Sequence, residues 1–303
     1  MILSKQWLKA EGKKALISKK ILFWGIGLLR GLLIFGMCYI ILFPFVEKIM
    51  NSFMSQADLF DSTVRYVPRT FTFETYRQAL DILKISPNLW HSVLLSLTVA
   101  LLQTVSCTFV SYGFARFKTW FSSLLFGLVI FTLLVPAELI LSPLYLQFRF
   151  FLGGINLLNS VKPFVILSLT CMGIKNGLFI YMLRQFFRGM PNELEEAAYV
   201  DGYGVYRTFF YIMMPNALPM MATVFLFSFA WQWTDTLYSG TFNPGYQTLA
   251  TAVASSAGSV SWSISVNVTR TTAVLLVIVP LLFVYLVCQK AFIQSVERSG
   301  LVG

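Results

Sequence analysis

Charge is scarce in this chain. Only 12% of its 303 residues are Asp, Glu, Lys or Arg, where a soluble globular chain carries about 25%. Hydrophobic residues make up 57% and the mean hydropathy is +0.71. That balance excludes an ordinary water-soluble domain and predicts a protein of the bilayer. There is one histidine, His91, and it precedes an apolar run, so an interfacial place is expected rather than a ligand role. The four cysteines, Cys38, Cys107, Cys171 and Cys288, fall in four different apolar segments. No Cys-x-x-Cys or Cys/His spacing suits a metal, so the thiols read as small buried hydrophobes. No Gly-x-x-x-x-Gly-Lys-Ser/Thr loop is present to cradle a phosphate. No Ser/His or metal-spaced constellation supports an intramembrane enzyme. The net charge of +10 does not point to nucleic acid, because Lys5, Lys9, Lys13, Lys14, Lys19 and Lys20 all precede the first apolar segment. That is the positive-inside pattern of a membrane protein.

A spanning helix needs about 20 mostly apolar residues. Six stretches qualify: about 22–46, 89–115, 121–145, 161–183, 216–233 and 271–292. The first is too long for a signal peptide and lacks a cleavage pattern. The loops set the orientation. Besides the six N-terminal lysines, Arg116 and Lys118 follow the second span, Arg184, Arg188 and Arg207 follow the fourth, and Lys290 and Arg298 close the chain. All lie on one side of a six-span protein, which predicts both termini in the cytoplasm. Opposite lie a mixed-charge loop at 47–88, a short loop with Arg149, and a Ser/Thr/Gly-rich loop at 235–270. Residues 1–20 form one segment, a basic stretch with interspersed Ile2, Leu3, Leu8, Ala15, Leu16 and Ile17. It is read equally as an amphipathic helix on anionic lipid or as a tail that only fixes topology. Residues 21–303 form the transmembrane part. Pro44, Pro136, Pro143, Pro163, Pro215, Pro219 and Pro280 punctuate the spans, where bilayers tolerate breaks only if protein or water satisfies the freed backbone.

The loop at about 184–214 carries the most informative stretch, Glu196-Ala197-Ala198-Tyr199-Val200-Asp201-Gly202, then nine residues, then Ile212-Met213-Met214-Pro215. Pro191 and Asn192 suit a helix start, with Asn able to cap. Glu193, Glu195 and Glu196 fall where the helix dipole favours negative charge. Gly202 is placed to take the left-handed conformation that ends a helix. Leu194, Ala197, Ala198 and Asp201 share one face, and the alanines allow close approach of a partner.

This stretch resembles the cytoplasmic EAA loop of ABC importer permeases, with Met214 where Leu is usual. The likeness extends through Met182-Leu183-Arg184-Gln185-Phe186-Phe187, Met190 to Ala198, Val135-Pro136, Pro143-Leu144-Tyr145, Ser111 to Arg116 and the terminal Ser299 to Gly303. These look like the carbohydrate, maltose-type branch, and they cover about 68–303. The resemblance implies an all-α membrane protein of six transmembrane helices with a cytoplasmic coupling helix, in a bacterial cytoplasmic membrane. It implies as partners a second related permease, two ABC ATPase subunits that carry ATP and Mg, an extracytoplasmic solute-binding protein, and a carbohydrate. No cofactor is expected in this chain, and transport by alternating access is expected in place of catalysis. It implies ATPase coupling through Glu195, Glu196, Ala197, Ala198, Asp201, Gly202 and Pro215. An importer permease for a polyamine or glycerol phosphate ester shares the same loop. A secondary transporter would leave that loop unexplained.

Charges within a span are costly and suggest function. Glu138, between Pro136 and Pro143, reads either as a cavity acceptor for sugar hydroxyls or as a partner to a cation such as Lys175. Lys175 sits among small residues at Gly173-Ile174-Lys175-Asn176-Gly177 and reads as pathway-facing or paired. Arg30 can snorkel. Trp231, Gln232 and Asp235 end the fifth span with the aromatic, amide and carboxylate groups a polyhydroxylated ligand needs. Trp233 reads as an interfacial anchor.

Overall fold

The computed structural model describes the backbone of residues 2–117, 119–256 and 263–300 and the side chains of 23–117, 119–256 and 263–295. Lys118, the loop stretch 257–262 and the terminal Leu301, Val302 and Gly303 lie outside the described residues. Among the described residues the secondary structure is helical, with no β-strand and two isolated bridges, Met54–Phe71 and Phe151–Ile155. The chain divides into two compact units, residues 1–75 and 76–303.

The first unit is built on α1 (Ile2–Ser52). The basic segment and the first apolar stretch form one uninterrupted helix. Its 23–52 portion is long and apolar enough to cross a membrane, and Phe23, Trp24, Phe35 and Ile40 are exposed along it. The mixed-charge loop that follows is ordered by hydrogen bonds. The Ser55 hydroxyl accepts from Asp58 N at 3.2 Å and caps α2 (Gln56–Phe60). The Asp58 carboxylate accepts from the amides of Arg69 and Thr70, each at 3.1 Å. The Thr70 amide above all holds that carboxyl below its usual range. Arg69 pairs with Asp61 at 2.9 Å.

In the second unit, α4 (Ile85–Arg116) is the central post. It packs against α7 (Lys162–Leu169), α8 (Asn176–Gly189), α11 (Met214–Thr234) and α13 (Leu249–Ser256). The last helix, α14 (Ile264–Gly300), lies against α11 and α13. The remaining helices are α3 (Glu74–Leu83), α5 (Ser122–Phe131), α6 (Ala137–Arg149), α9 (Glu193–Val200), α10 (Val205–Thr208) and α12 (Leu237–Phe242).

Four helical segments are long and apolar enough to span: 23–52, 85–116, 205–234 and 264–295. The third and fourth stretches of the sequence are each broken in two. Residues 121–145 divide into α5 and α6, with Pro136 at the start of α6. Proline has no N–H to continue a helix, and it biases the residue before it away from helical geometry. Residues 161–183 divide into α7 and α8. At that break Cys171 and Lys175 take left-handed backbone conformations, with φ of 56° and 60°.

Irregular backbone at membrane depth needs protein partners, and α4 supplies them. Ser106 Oγ donates to the Ser168 carbonyl at 2.6 Å. Gln103 Nε2 donates to the Ile174 carbonyl at 3.4 Å, and Gln103 Oε1 accepts a very close hydrogen bond from Ser228 Oγ of α11. A Cβ on Gly173 would lie 2.2 Å from Gln103 Nε2, so a larger residue there would displace the Gln103 amide.

The fifth stretch begins earlier than its apolar run suggests. Residues 209–213 form a π-turn that joins α10 to α11, and Met214 N–H reaches the Phe209 carbonyl. The wider turn lies where Pro215 removes a donor and would crowd the carbonyl four residues before it.

Candidate functional site

The short helix α9 carries the Glu-Ala-Ala stretch, and its two ends are made differently. Its C-terminus is a complete Schellman closure. Gly202 is left-handed, with φ of +81°. Its N–H donates to the Tyr199 carbonyl at 3.1 Å, and Tyr203 N–H donates to the Ala198 carbonyl at 2.9 Å. The left-handed stop expected at Gly202 is observed.

The N-terminus departs from expectation. Asn192 has helical backbone angles and its side chain caps nothing. Instead Asn192 Oδ1 accepts a close hydrogen bond from Arg116 Nη1, at the end of α4. Arg116 Nη2 also donates to the Met190 carbonyl at 3.0 Å. The distant guanidinium competes successfully for the amide oxygen that the helix would otherwise use. The backbone C=O of Asn192 still starts the helix, accepting from Glu195 and Glu196 at 2.9 and 3.1 Å.

The same arginine holds Glu195. Its Nε lies 3.2 Å from Glu195 Oε2, and each side chain is 11% exposed. Tyr112 Oη donates to the other carboxylate oxygen at 2.7 Å. Tyr112 is itself wedged in the main core, its ring centroid 4.7 Å from Phe209 and 5.5 Å from Phe187. Thus α9 is clamped to the end of a membrane-length helix by a charge pair, a phenol and an arginine fork. Tyr112 and Arg116 were not singled out from sequence for this role. Their spacing of four residues, which puts both on one face of α4, was the available signal.

This clamp divides the predicted coupling residues. Glu195 (8% exposed) and Ala198 (1%) face their own chain. Glu196, Ala197, Asp201 and Gly202 are exposed, as are Leu194, Val200 and Tyr206. The expected face of Leu194, Ala197, Ala198 and Asp201 therefore loses Ala198 to the interior. Pro215 lies in the first turn of α11, beyond the π-turn.

The candidate pathway residues do not form one cluster. Glu138 is exposed in the first turn of α6 and Lys175 is exposed at the α7–α8 break. The ion pairs among the described residues do not join them. Asp235 is committed to structure. Its carboxylate accepts from Tyr238 N at 3.1 Å and from Ser239 N and Oγ, each at 2.7 Å, at the start of α12. Burial nevertheless raises its pKa. Burial, then the nearby Asp235 and Glu138 carboxylates, raise that of Tyr238, so Glu138 does come within electrostatic reach of this corner. Gln232 is buried and donates to Ser239 Oγ at 3.3 Å. Trp231 is half-buried between Phe179 and Phe227. Trp233 is no interfacial anchor: it is 1% exposed, and its Nε1 donates to the Val277 carbonyl at 2.9 Å. The apolar packing of α14 outweighs the preference of an indole for the interface.

Residues 107–298 match the family model described as the binding-protein-dependent transport system inner membrane component. The chain is 29% identical over 262 residues to a diacetylchitobiose uptake system permease protein of Streptomyces coelicolor, covering 86% of this chain and 84% of that one. It is 25% identical to a sulfoquinovosyl glycerol transport system permease protein of Agrobacterium fabrum, covering 86% and 89%. Among solved structures it is similar to a chain of a bacterial ABC transporter involved in import of the acidic polysaccharide alginate. The TM-score there is 0.70 at 18% identity, over 88% of this chain and 96% of that one, a likeness of fold. The match spans well over half the sequence and includes the clamp, α9, the π-turn and α11, so this chain belongs to the binding-protein-dependent transport system inner membrane components, the permeases of ABC transporters.

Proposed function

We propose that this chain is one permease subunit of an ATP-driven carbohydrate importer, and that α9 is its coupling helix. The observation that carries the reading is the division of α9. One side is clamped to α4 through Glu195, Arg116 and Tyr112. The other side presents Leu194, Ala197, Val200 and Asp201 to the surroundings. A helix built this way passes a push on its outer face directly to a long membrane helix. The push would come from closure of an ATPase subunit, since this sequence has no phosphate loop of its own. A second permease chain, two ATPase subunits and a solute-binding protein complete the proposed assembly, with ATP and Mg on the ATPases.

Carbohydrate as cargo is supported by the names of the relatives, whose solutes include diacetylchitobiose and sulfoquinovosyl glycerol. We read the broken stretches α5–α6 and α7–α8 as the third and fourth of six crossings. Both termini and α9 then lie in the cytoplasm of a bacterial inner-membrane protein. Glu138 and Lys175, exposed at the two breaks, are the pathway residues this reading favours.

The test is Ala197→Trp in the purified complex. Ala197 is exposed, so the bulk meets a docking partner and not the fold of this chain. Uptake and substrate-stimulated ATP hydrolysis should both be lost while the complex still assembles in the membrane. Full stimulation in that variant would remove α9 from the coupling path.

A further inference from the structure

A groove of about 400 Å³ opens near the start of α4. That volume is within the range of sites that hold small ligands, about 300–1,000 Å³. Its aromatic walls are Trp90, His91 and Tyr246, and its polar lining includes Asn159, Asn243 and Thr248. Some 25 residues of α4, about 37 Å at 1.5 Å per residue, separate it from the Arg116 clamp. If α9 faces the cytoplasm, the groove faces the outside.

The walls are pinned before any ligand arrives. The His91 and Tyr246 rings meet edge to face at 5.2 Å. Leu249 N donates to Ser92 Oγ at 2.8 Å, tying the 243–249 segment to α4. Asn159 N donates to the Phe242 carbonyl at 2.8 Å, and Asn159 Oδ1 accepts from Gly245 N at 3.1 Å. Pre-organisation of this kind lowers the ordering cost of binding.

Among the described residues, two of the lining side chains carry a buried atom with no hydrogen-bond partner. Asn243 is 6% exposed, and its buried Oδ1 is unsatisfied. His91 Nδ1 is buried and unsatisfied as well. Buried polar atoms in native structures are nearly always paired. The amide and hydroxyl groups of Asn159, Asn243 and Thr248 suit a ligand that carries hydroxyls. Among the described residues no charged side chain lines the groove, so nothing described here matches a phosphate or carboxylate, which calls for arginine or lysine. A purely apolar ligand would leave that polar lining unmatched. Trp90, 66% exposed, offers a flat face for the C–H side of a pyranose ring.

We infer that this groove is a binding site for an uncharged saccharide on the face of the permease opposite the coupling helix, separate from the membrane path. It would take the sugar before the spans admit it. The inference rests on the carbohydrate reading, and the experiment separates the two.

The experiment uses the purified complex in nanodiscs, with N,N′-diacetylchitobiose, lactose and maltotriose as neutral probes and glucose 6-phosphate as the anionic one. Binding is followed by saturation-transfer NMR and tryptophan fluorescence, and uptake is measured in proteoliposomes. Trp90→Ala and Tyr246→Ala replace exposed side chains, so neither should cost folding; thermal melting checks this. The expected result is binding of at least one neutral probe, weakened tenfold or more by each variant, with basal ATP hydrolysis unchanged and glucose 6-phosphate inert. Binding or uptake of a neutral probe that neither variant alters would overturn the groove and leave the carbohydrate reading standing. Preference for glucose 6-phosphate would overturn the assignment of an uncharged ligand. Absence of both binding and uptake across the neutral probes would overturn the site together with the carbohydrate reading.

Discussion

Gly202→Val tests the mechanics of α9 most directly. An added Cβ at Gly202 meets no atom within 4 Å, so steric overlap with neighbours is not the issue. The issue is φ of +81°. A left-handed conformation costs an L-residue roughly 1–2 kcal/mol, and a β-branched residue stands at the upper end. If valine refuses that conformation, the closure opens instead. The bonds from Gly202 N to Tyr199 and from Tyr203 N to Ala198 are then lost, at about 1 kcal/mol each. By either route the native end of α9 is disfavoured by roughly 2 kcal/mol, or about thirtyfold in population. Stimulated ATP hydrolysis and uptake in the reconstituted complex should fall by on the order of tenfold or more, while assembly and basal hydrolysis persist. Gly202→Asn is the control, because asparagine tolerates the left-handed region and should retain most activity. If valine kept full coupling, or if asparagine were as damaging as valine, the backbone argument would be refuted.

Three further outcomes are expected. Glu195→Gln strands the Arg116 guanidinium beside a neutral amide and should destabilise the α9 loop by on the order of 3 kcal/mol; faster proteolytic cleavage within 190–208 reads this, and unchanged protection would discount the clamp. Glu138→Gln, at an exposed position, should alter uptake and leave the assembled complex intact, whereas loss of complex in detergent would mark Glu138 as a structural charge. In a cysteine-free background, an impermeant thiol reagent outside intact cells should label Gln247→Cys and spare Arg188→Cys, both exposed positions; the reverse pattern would invert the topology.

Sequence alone determined the solvent, the number of apolar stretches and the place of the short helix α9. Each of these follows from local composition or short-range periodicity: scarce charge, runs of about 20 apolar residues, and a glycine at a helix end. Gly202 was legible because a left-handed cap is a property of one residue and its two neighbours. Tertiary structure decided what depends on distant partners. Asn192 could be read as a cap, but Arg116, 76 positions away, takes its side chain. Trp233 had an anchor's composition, yet α14 buries it. Two of the stretches long enough to cross are broken, and the loose backbone of the fourth, between α7 and α8, is held by Ser106 and Gln103 of α4, which periodicity cannot connect to it. His91, set aside as interfacial, becomes part of a groove only because the 243–249 segment folds back on α4 through Ser92. Helix ends and spans are written in neighbouring residues; clamps, grooves and breaks arise where residues far apart in the chain satisfy one another's polar groups.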